Sequence, residues 1–219
     1  MSEKVEKLLL KDFSTKDTAL ESMTGKNQGS TASSESMETE DLSRRTEGFA
    51  MRIYYAVEFV YLSKKRYCVW YSFDDCGFAV KDDQVLCFDD VSSLKSYCHE
   101  HQITIDDDGG DLDSYNVGTI LDWLGGKIPG FDYQILLNFW NITTDIAESV
   151  SVDFYGDTDG LVLDVYKKVF YANNLPILKG DGEDFIPTWD EEELLELKKV
   201  MQDAVRIVCK FCFQAEIGS

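Results

Sequence analysis

The apolar residues of this chain follow two different periods, and the change between them limits the fold more than any other feature. Across residues 53–61 they alternate along a β-rich run, which predicts a strand with both faces partly covered. After Phe88 they recur at helical spacing instead. The chain is therefore predicted to form a small N-terminal sheet followed by an α-helical region, an α+β arrangement.

The strand region contains two predicted turns. Polar residues 63–65 separate the first run from a second β-rich run at 66–73, which together predict a hairpin. Residues 74–77 predict the next turn, before further strands at 78–80 and 84–88. We expect a small antiparallel sheet of three or four strands.

About five helices are predicted after Phe88. A short strand at 102–105 is expected between the first two helices, and Gly125 is expected to end the second. The last helix has the clearest signal, because Thr188 and Glu191 have the spacing of a capping box. The predicted N-terminal residues of the five helices are Asp89 or Asp90, Ser114, Asp132, Asp159 and Thr188.

The first fifty residues differ in composition from the rest. Residues 26–48 are rich in Ser, Thr, Glu and Gly, so they cannot bury enough apolar surface to offset the entropy of ordering. We interpret residues 1–50 as a disordered or extension tail, with Met51 as an ancestral start, and residues 51–213 as one α+β domain.

The chain is strongly acidic, with 21 Lys and Arg against 41 Asp and Glu and a net charge of −20. The first fifty residues hold 7 basic and 10 acidic residues, and the remainder holds 14 and 31, so the predicted domain carries −17. A field of this sign repels nucleic acids and anionic membranes and speeds association with basic proteins. With no signal peptide or membrane-spanning run in the sequence, a cytoplasmic protein with reduced thiols is expected.

The sequence lacks the usual signatures of catalysis. The only histidines, His99 and His101, are two residues apart and do not share a helix face. Cys209 and Cys212 have C-x-x-C spacing, but they end a helix, where the dipole does not activate a thiolate. Neither Gly109 nor Gly160 gives an EF-hand register with an acidic residue at both ends. We therefore predict no catalytic, cofactor-binding or metal-ligating residues.

Three acidic loops carry more carboxylates than helix capping requires. They lie near residues 106–113, 153–159 and 181–184, with aromatic residues close by that are suited to protein interfaces. Core packing at helix ends is the alternative role for these aromatics. The predicted partner-binding residues are Asp106, Asp107, Asp108, Asp111, Asp113, Tyr115, Asp157, Asp159, Asp181, Glu183, Asp184 and Trp189.

Six segments of the predicted domain have a recognisable pattern, at residues 135–141, 144–149, 165–176, 182–183, 186–187 and 189–193. Together they resemble a family of small bacterial immunity proteins, which are found beside polymorphic toxins, including those of contact-dependent growth inhibition systems. The resemblance spans roughly residues 51–213 and implies a cytoplasmic protein that binds and blocks one cognate toxin domain, commonly a nuclease.

The resemblance and the charge lead to the same expectation, an inhibitor whose acidic surface occludes a basic toxin. An acidic regulatory protein or nucleic-acid mimic that binds a DNA- or RNA-handling host protein is the alternative. A small metal-dependent enzyme that uses the acidic clusters is a third hypothesis.

The composition of the first fifty residues generates a stability prediction. Deleting residues 1–50 should change the melting temperature by less than about 2 °C, because this segment has little apolar surface to contribute. Differential scanning calorimetry of the full chain and of residues 51–219 measures this. A drop of several degrees would show that the tail packs on the domain.

Overall fold

The structure is a computed structural model that describes residues 52–72, 76–106, 112–128, 130, 132–173 and 184–214. Its architecture is α+β, as predicted. Within these residues the strands are β1 (Ile53–Tyr61), β2 (Lys64–Ser72), β3 (Cys76–Phe78), β4 (Val80–Lys81), β5 (Gln84–Val85), β6 (Cys87–Phe88) and β7 (Asp113–Asn116). The helices are α1 (Val91–Glu100), α2 (Val117–Leu124), α3 (Tyr133–Ser149), α4 (Leu161–Ala172) and α5 (Glu191–Phe213), with a 3-10 turn at Tyr155–Asp157.

The main sheet is mixed and has five strands, so the prediction of an antiparallel sheet with three or four was wrong. Its order is β3-β2-β1-β7, and β6 also pairs with β2. Strand β7 runs parallel to β1, because the chain reaches it only after crossing over through α1. Strands β4 and β5 form a separate two-stranded ladder.

The first hairpin has a tighter turn than predicted. Leu62 and Ser63 both have left-handed backbone angles, with φ values of 47° and 63°. Such a two-residue turn matches the twist of the flanking strands and places Tyr61 opposite Lys64. Lys64 and Lys65 therefore belong to β2. The next predicted turn was also displaced, because Cys76 and Gly77 lie in β3.

The region before α2 contains the largest local error of the sequence prediction. Ser114 was expected to cap α2, but it lies in β7 and donates a hydrogen bond to Glu58 at 2.8 Å. Asn116 is the cap, and its side chain accepts from the Gly118 amide. The strand predicted at residues 102–105 is reduced to one parallel bridge between Ile105 and Tyr54.

The other helix boundaries follow local rules. Asp90 and Asp132 cap α1 and α3 through their side chains, as predicted. Asp159 does not cap α4, because Gly160 occupies that position with φ 81°. At the end of α2, Gly125 is right-handed, and the left-handed residue that follows it is Gly126.

Helix α5 begins two residues later than predicted. Asp190 accepts from the Glu193 amide at 2.8 Å, and Glu193 Oε2 accepts from the Asp190 amide at 3.1 Å. This reciprocal pair is the capping box, so the assignment to Thr188 and Glu191 was wrong. The pairs Thr188–Glu191 and Asp190–Glu193 both have the spacing of a capping box. The helix uses the second pair because its first residue is Glu191.

The sheet lies between two helical layers. Helix α1 covers one face, where Leu94 and Cys98 pack against Val69. The larger core lies on the other face, where Val57, Phe59 and Cys68 are buried on the same side as α3 and α5. Within the described residues, no helix combines the length and apolarity needed to cross a membrane.

Two hydrogen bonds fasten α3 to the sheet. Trp70 Nε1 donates to Asp145 Oδ2 at 2.7 Å, and the Phe78 amide donates to Ser149 Oγ at 2.8 Å. Both partners lie in the last two turns of α3. This end of the helix is therefore held at β2 and β3.

The capping box of α5 generates a stability prediction. Asp190→Ala removes the side-chain acceptor and should lower the free energy of unfolding by about 0.5–2 kcal/mol. Thr188→Ala is the matched control and should change it by no more than about 0.5 kcal/mol, since Thr188 lies outside the box. Urea denaturation measures both, and equal losses would contradict the assignment.

Candidate functional site

An exposed aromatic surface forms where three segments meet. The N-terminus of α3 contributes Tyr133, the C-terminus of α4 contributes Tyr171, and residues 184–190 contribute the rest. Asn173 Nδ2 donates to the Tyr133 carbonyl oxygen at 3.4 Å and so joins α4 to α3. We call this surface the aromatic platform and define it as Tyr133, Tyr171, Phe185, Ile186 and Trp189.

Trp189 is the fixed point of the aromatic platform. Its ring stacks on Tyr133 with centroids 6.4 Å apart, and its Nε1 donates to the Tyr133 hydroxyl at 3.2 Å. On the ring face, Lys168 Nζ lies 5.3 Å from the centroid. Lys168 also donates to the Thr188 carbonyl and pairs with Glu193. These contacts order the segment that precedes α5.

The remaining platform side chains are open to solvent. Ile186 is 82% exposed, Tyr171 46% and Phe185 44%. Tyr171 and Phe185 meet edge to face with centroids 6.2 Å apart, so they form one surface. Clustered exposed apolar side chains, unlike single ones, mark interaction sites in folded proteins.

Carboxylates adjoin the aromatic platform at three positions. Asp132, Asp184 and Asp190 are exposed, and each precedes or follows a platform residue in the chain. Asp132 and Asp190 also cap helices, so part of their charge is used locally. The surface thus combines aromatic area with negative charge, as an interface for a cationic partner requires.

A second acidic area surrounds the 3-10 turn. Asp157 accepts from the Thr144 hydroxyl at 2.8 Å, and the Tyr155 amide donates to Asp203 at 2.9 Å. Asp159 is exposed and has no hydrogen bond or ion pair with any described residue. An open hollow of about 610 Å³ lies beside this turn, lined by Asp153, Phe154, Tyr155, Thr158, Lys199 and Asp203.

The Glu196 carboxylate in this area has a lowered pKa. Hydrogen bonds from Lys199 at 2.6 Å and from the Tyr155 hydroxyl at 2.5 Å lower the pKa of Glu196. The hydrogen bond to Glu196 also raises the pKa of the Tyr155 hydroxyl. Because donors favour the ionised carboxyl, this part of the surface keeps its negative charge in mild acid.

The predicted residues near the sheet edge have structural contacts. Tyr115 on β7 stacks on Phe59 with centroids 5.4 Å apart, and burial raises its pKa. Asp113 begins β7 opposite Val57, and the Asp106 amide donates to the Tyr54 carbonyl at 2.7 Å. Tyr115 thus has the packing of a core anchor, the alternative role considered from the sequence. Its part in partner binding stays a prediction.

The predicted partner-binding residues fall on separate parts of the structure. Asp184 and Trp189 lie in the segment before α5, Asp157 and Asp159 lie at or just after the 3-10 turn, and Asp113 lies with Tyr115 on β7. Sequence reasoning missed Tyr133, Tyr171 and Ile186. Tyr171 had one signal in the sequence that could have identified it. It follows Phe170 on α4 but does not belong to the row of buried apolar residues that contains Phe170. Outside the described residues lie Asp107, Asp108, Asp111, Asp181 and Glu183.

The residues considered for catalysis or metal binding have ordinary structural positions. His99 lies in the last turn of α1, and the His101 ring packs on Tyr97 at 4.2 Å. Cys209 and Cys212 are buried in α5. In the part of the chain that is described, no group of three or more His, Cys, Asp and Glu side chains is arranged to hold a metal ion.

The platform geometry separates a folding role from a surface role. Phe185→Ala and Ile186→Ala should each change the free energy of unfolding by no more than about 0.5 kcal/mol, since both side chains are exposed. Trp189→Ala should cost about 1–3 kcal/mol, because it removes the contacts with Tyr133 and Lys168. Urea denaturation measures all three, and a large loss at Ile186 would contradict this division.

No protein-family model, no curated protein and no solved structure matches this chain. Any inference about the function of this protein therefore depends on its own residues. Those residues give an acidic surface with a fixed aromatic centre.

Proposed function

We propose that this protein is a non-catalytic binding protein that neutralises a basic protein domain, as an immunity protein neutralises its toxin. The observation that carries the proposal is the aromatic platform, three of whose side chains are exposed beside carboxylates. Folding alone gives no reason to leave Phe185 and Ile186 in water. Burial against a partner would recover the hydrophobic free energy that these side chains forgo.

The platform favours a cationic partner. Lys168 already lies over the Trp189 ring, which illustrates that an aromatic face here accepts a positive charge. Arg and Lys side chains of a partner would meet the half-exposed rings of Tyr171 and Phe185, and Asp184 precedes Phe185 in the chain. Interface hot spots commonly combine aromatic anchors with charged partners in this way.

The net charge supports the same class of partner. At −20 the protein attracts basic surfaces over several ångströms, which raises the rate of association more than the final affinity. Nucleases carry basic surfaces because they hold phosphates. An acidic protein that covers such a surface excludes the nucleic acid, and the resemblance to immunity proteins favours this mode of action.

The experiment uses the full chain as bait in an extract of the source cell, at low and at high salt. One basic domain should be recovered in stoichiometric amount, and adding the protein should abolish the nuclease activity of that domain. Recovery of many unrelated basic proteins would instead favour an acidic regulator or nucleic-acid mimic. Turnover by the protein itself would contradict a non-catalytic role.

Variants at the platform test the surface. The double variant Phe185→Ala and Ile186→Ala should weaken affinity for the recovered domain at least about tenfold, as expected for central hot-spot residues. Ile53→Ala is the control, since Ile53 is also 44% exposed but lies at the start of β1. Calorimetric titration gives the affinities, and equal effects of the two changes would exclude the platform as the interface.

Charge-reversal variants test the acidic loops separately. Asp184→Lys should slow association and reduce its dependence on salt, because steering acts before contact. The pair Asp157→Lys and Asp159→Lys tests the loop beside the 3-10 turn, with Asp82→Lys in an exposed strand turn as the control. If neither Asp184→Lys nor the pair Asp157→Lys and Asp159→Lys changes the association rate, the acidic-loop hypothesis is wrong.

A further inference from the structure

Three thiols meet between the sheet and the end of α5. Cys68 on β2 and Cys87 on β6 are direct partners in the antiparallel pairing, and their sulfurs are 3.0 Å apart. The Cys212 thiol, from the last turn of α5, lies close enough to both to influence their pKa values. We call these residues the thiol cluster: Cys68, Cys87 and Cys212.

Cys87 is the most exposed member of the thiol cluster, and Cys212 also borders the cleft described below. Cys68 and Cys212 are buried, whereas Cys87 is partly exposed. Cys87 also lines a cleft of about 340 Å³ together with Arg66 and Lys81. In the same cleft, Gln84 Oε1 is buried without a hydrogen-bond partner among the described residues, so an acceptor is available to a polar occupant.

The surroundings of Cys87 favour its thiolate. The neighbouring Cys212 and Cys68 thiols, together with the charge of Arg66, hold the pKa of Cys87 well below its usual range. Burial raises the pKa of both Cys68 and Cys212, so they stay protonated as donors. The other charged groups that line the cleft are Lys81, Asp82 and Asp89, and Asp89 pairs with Arg66.

We propose that Cys87 is a peroxide-reactive thiol that forms a disulfide with Cys68 when it is oxidised. In the first step the Cys87 sulfur attacks hydrogen peroxide, an S–O bond forms, the O–O bond breaks, and hydroxide leaves. The product is a sulfenic acid, whose sulfur has lost two electrons to the peroxide. In the second step the Cys68 sulfur gives up its proton and attacks Cys87. An S–S bond then forms, and the hydroxyl group leaves with that proton as water.

The strand pairing places the Cys68 and Cys87 thiols side by side. Residues directly opposite on antiparallel strands hold their Cβ atoms about 4.5–5.5 Å apart, whereas a disulfide holds them about 3.5–4.5 Å apart, so the two strands must draw slightly closer when the bond forms. The two sulfurs need to approach by only about 1 Å to reach bonding distance. Cys68 is therefore the resolving thiol, and Cys212 is the donor that keeps Cys87 ionised. This inference is independent of the proposed binding function.

Thiol labelling of the full chain tests the reactivity of Cys87. Iodoacetamide at pH 6, followed by peptide mass spectrometry, should label Cys87 at least about tenfold faster than Cys76, because an ordinary thiol is protonated at this pH. Cys76 is the matched internal control, since it is also partly exposed and lies on a strand of the same sheet. Equal rates at the two positions would overturn the proposal.

Peptide mapping after peroxide treatment tests the bond. The wild-type protein should yield a cross-linked peptide pair containing Cys68 and Cys87, and dithiothreitol should reverse it. In Cys68→Ser, dimedone should instead trap a sulfenic acid at Cys87. A disulfide from Cys87 to Cys212 in the wild type, or no cross-link at all, would overturn the assignment. The wild-type measurements need no variant, so a folding defect in Cys68→Ser leaves them valid.

Discussion

Burial of helix α5 is the constraint on which the rest of the domain depends. Eleven of its 23 residues are buried, and α2, α3, α4 and the 3-10 turn all pack against it. A helix of this length spans about 35 Å, enough to cross the domain. Its N-terminus follows the aromatic platform, and its C-terminus carries Cys212 to the sheet. The candidate interface and the thiol cluster therefore lie at opposite ends of one rigid element.

Some acidic residues of the domain have a structural role, and others have none among the described residues. Some carboxylates cap helices, as Asp90, Asp132 and Asp190 do, and others form ion pairs, as Glu58 does with Lys65. Asp159 has neither role among the described residues. Exposed carboxylates of this kind contribute little to folding but set the long-range field, so their value lies in association.

The candidate site was only partly accessible to sequence reasoning. Trp189 and Asp184 were identified because they share a short segment rich in acidic and aromatic residues. Tyr133 and Tyr171 were missed, since each occupies a helix whose apolar pattern predicts core packing. The tertiary structure joins the ends of these two helices, through Asn173 and the Tyr133 carbonyl oxygen. The thiol cluster was missed for the same reason, because Cys87 and Cys212 are 125 positions apart in the chain.

The sequence by itself determined the α+β class, the first strand and the starts of α1 and α3. These features depend on residues within one or two turns of each other, such as Asp90 and Ser93, whose hydrogen bond is local. Only the tertiary structure decided that Ser114 pairs in β7 with Glu58, and that the sheet is mixed. It also brought Cys68, Cys87 and Cys212 together. Strand pairing and side-chain clusters of this kind depend on contacts between residues far apart in the chain. A local sequence pattern is compatible with several pairings, and burial in the folded domain favours one of them.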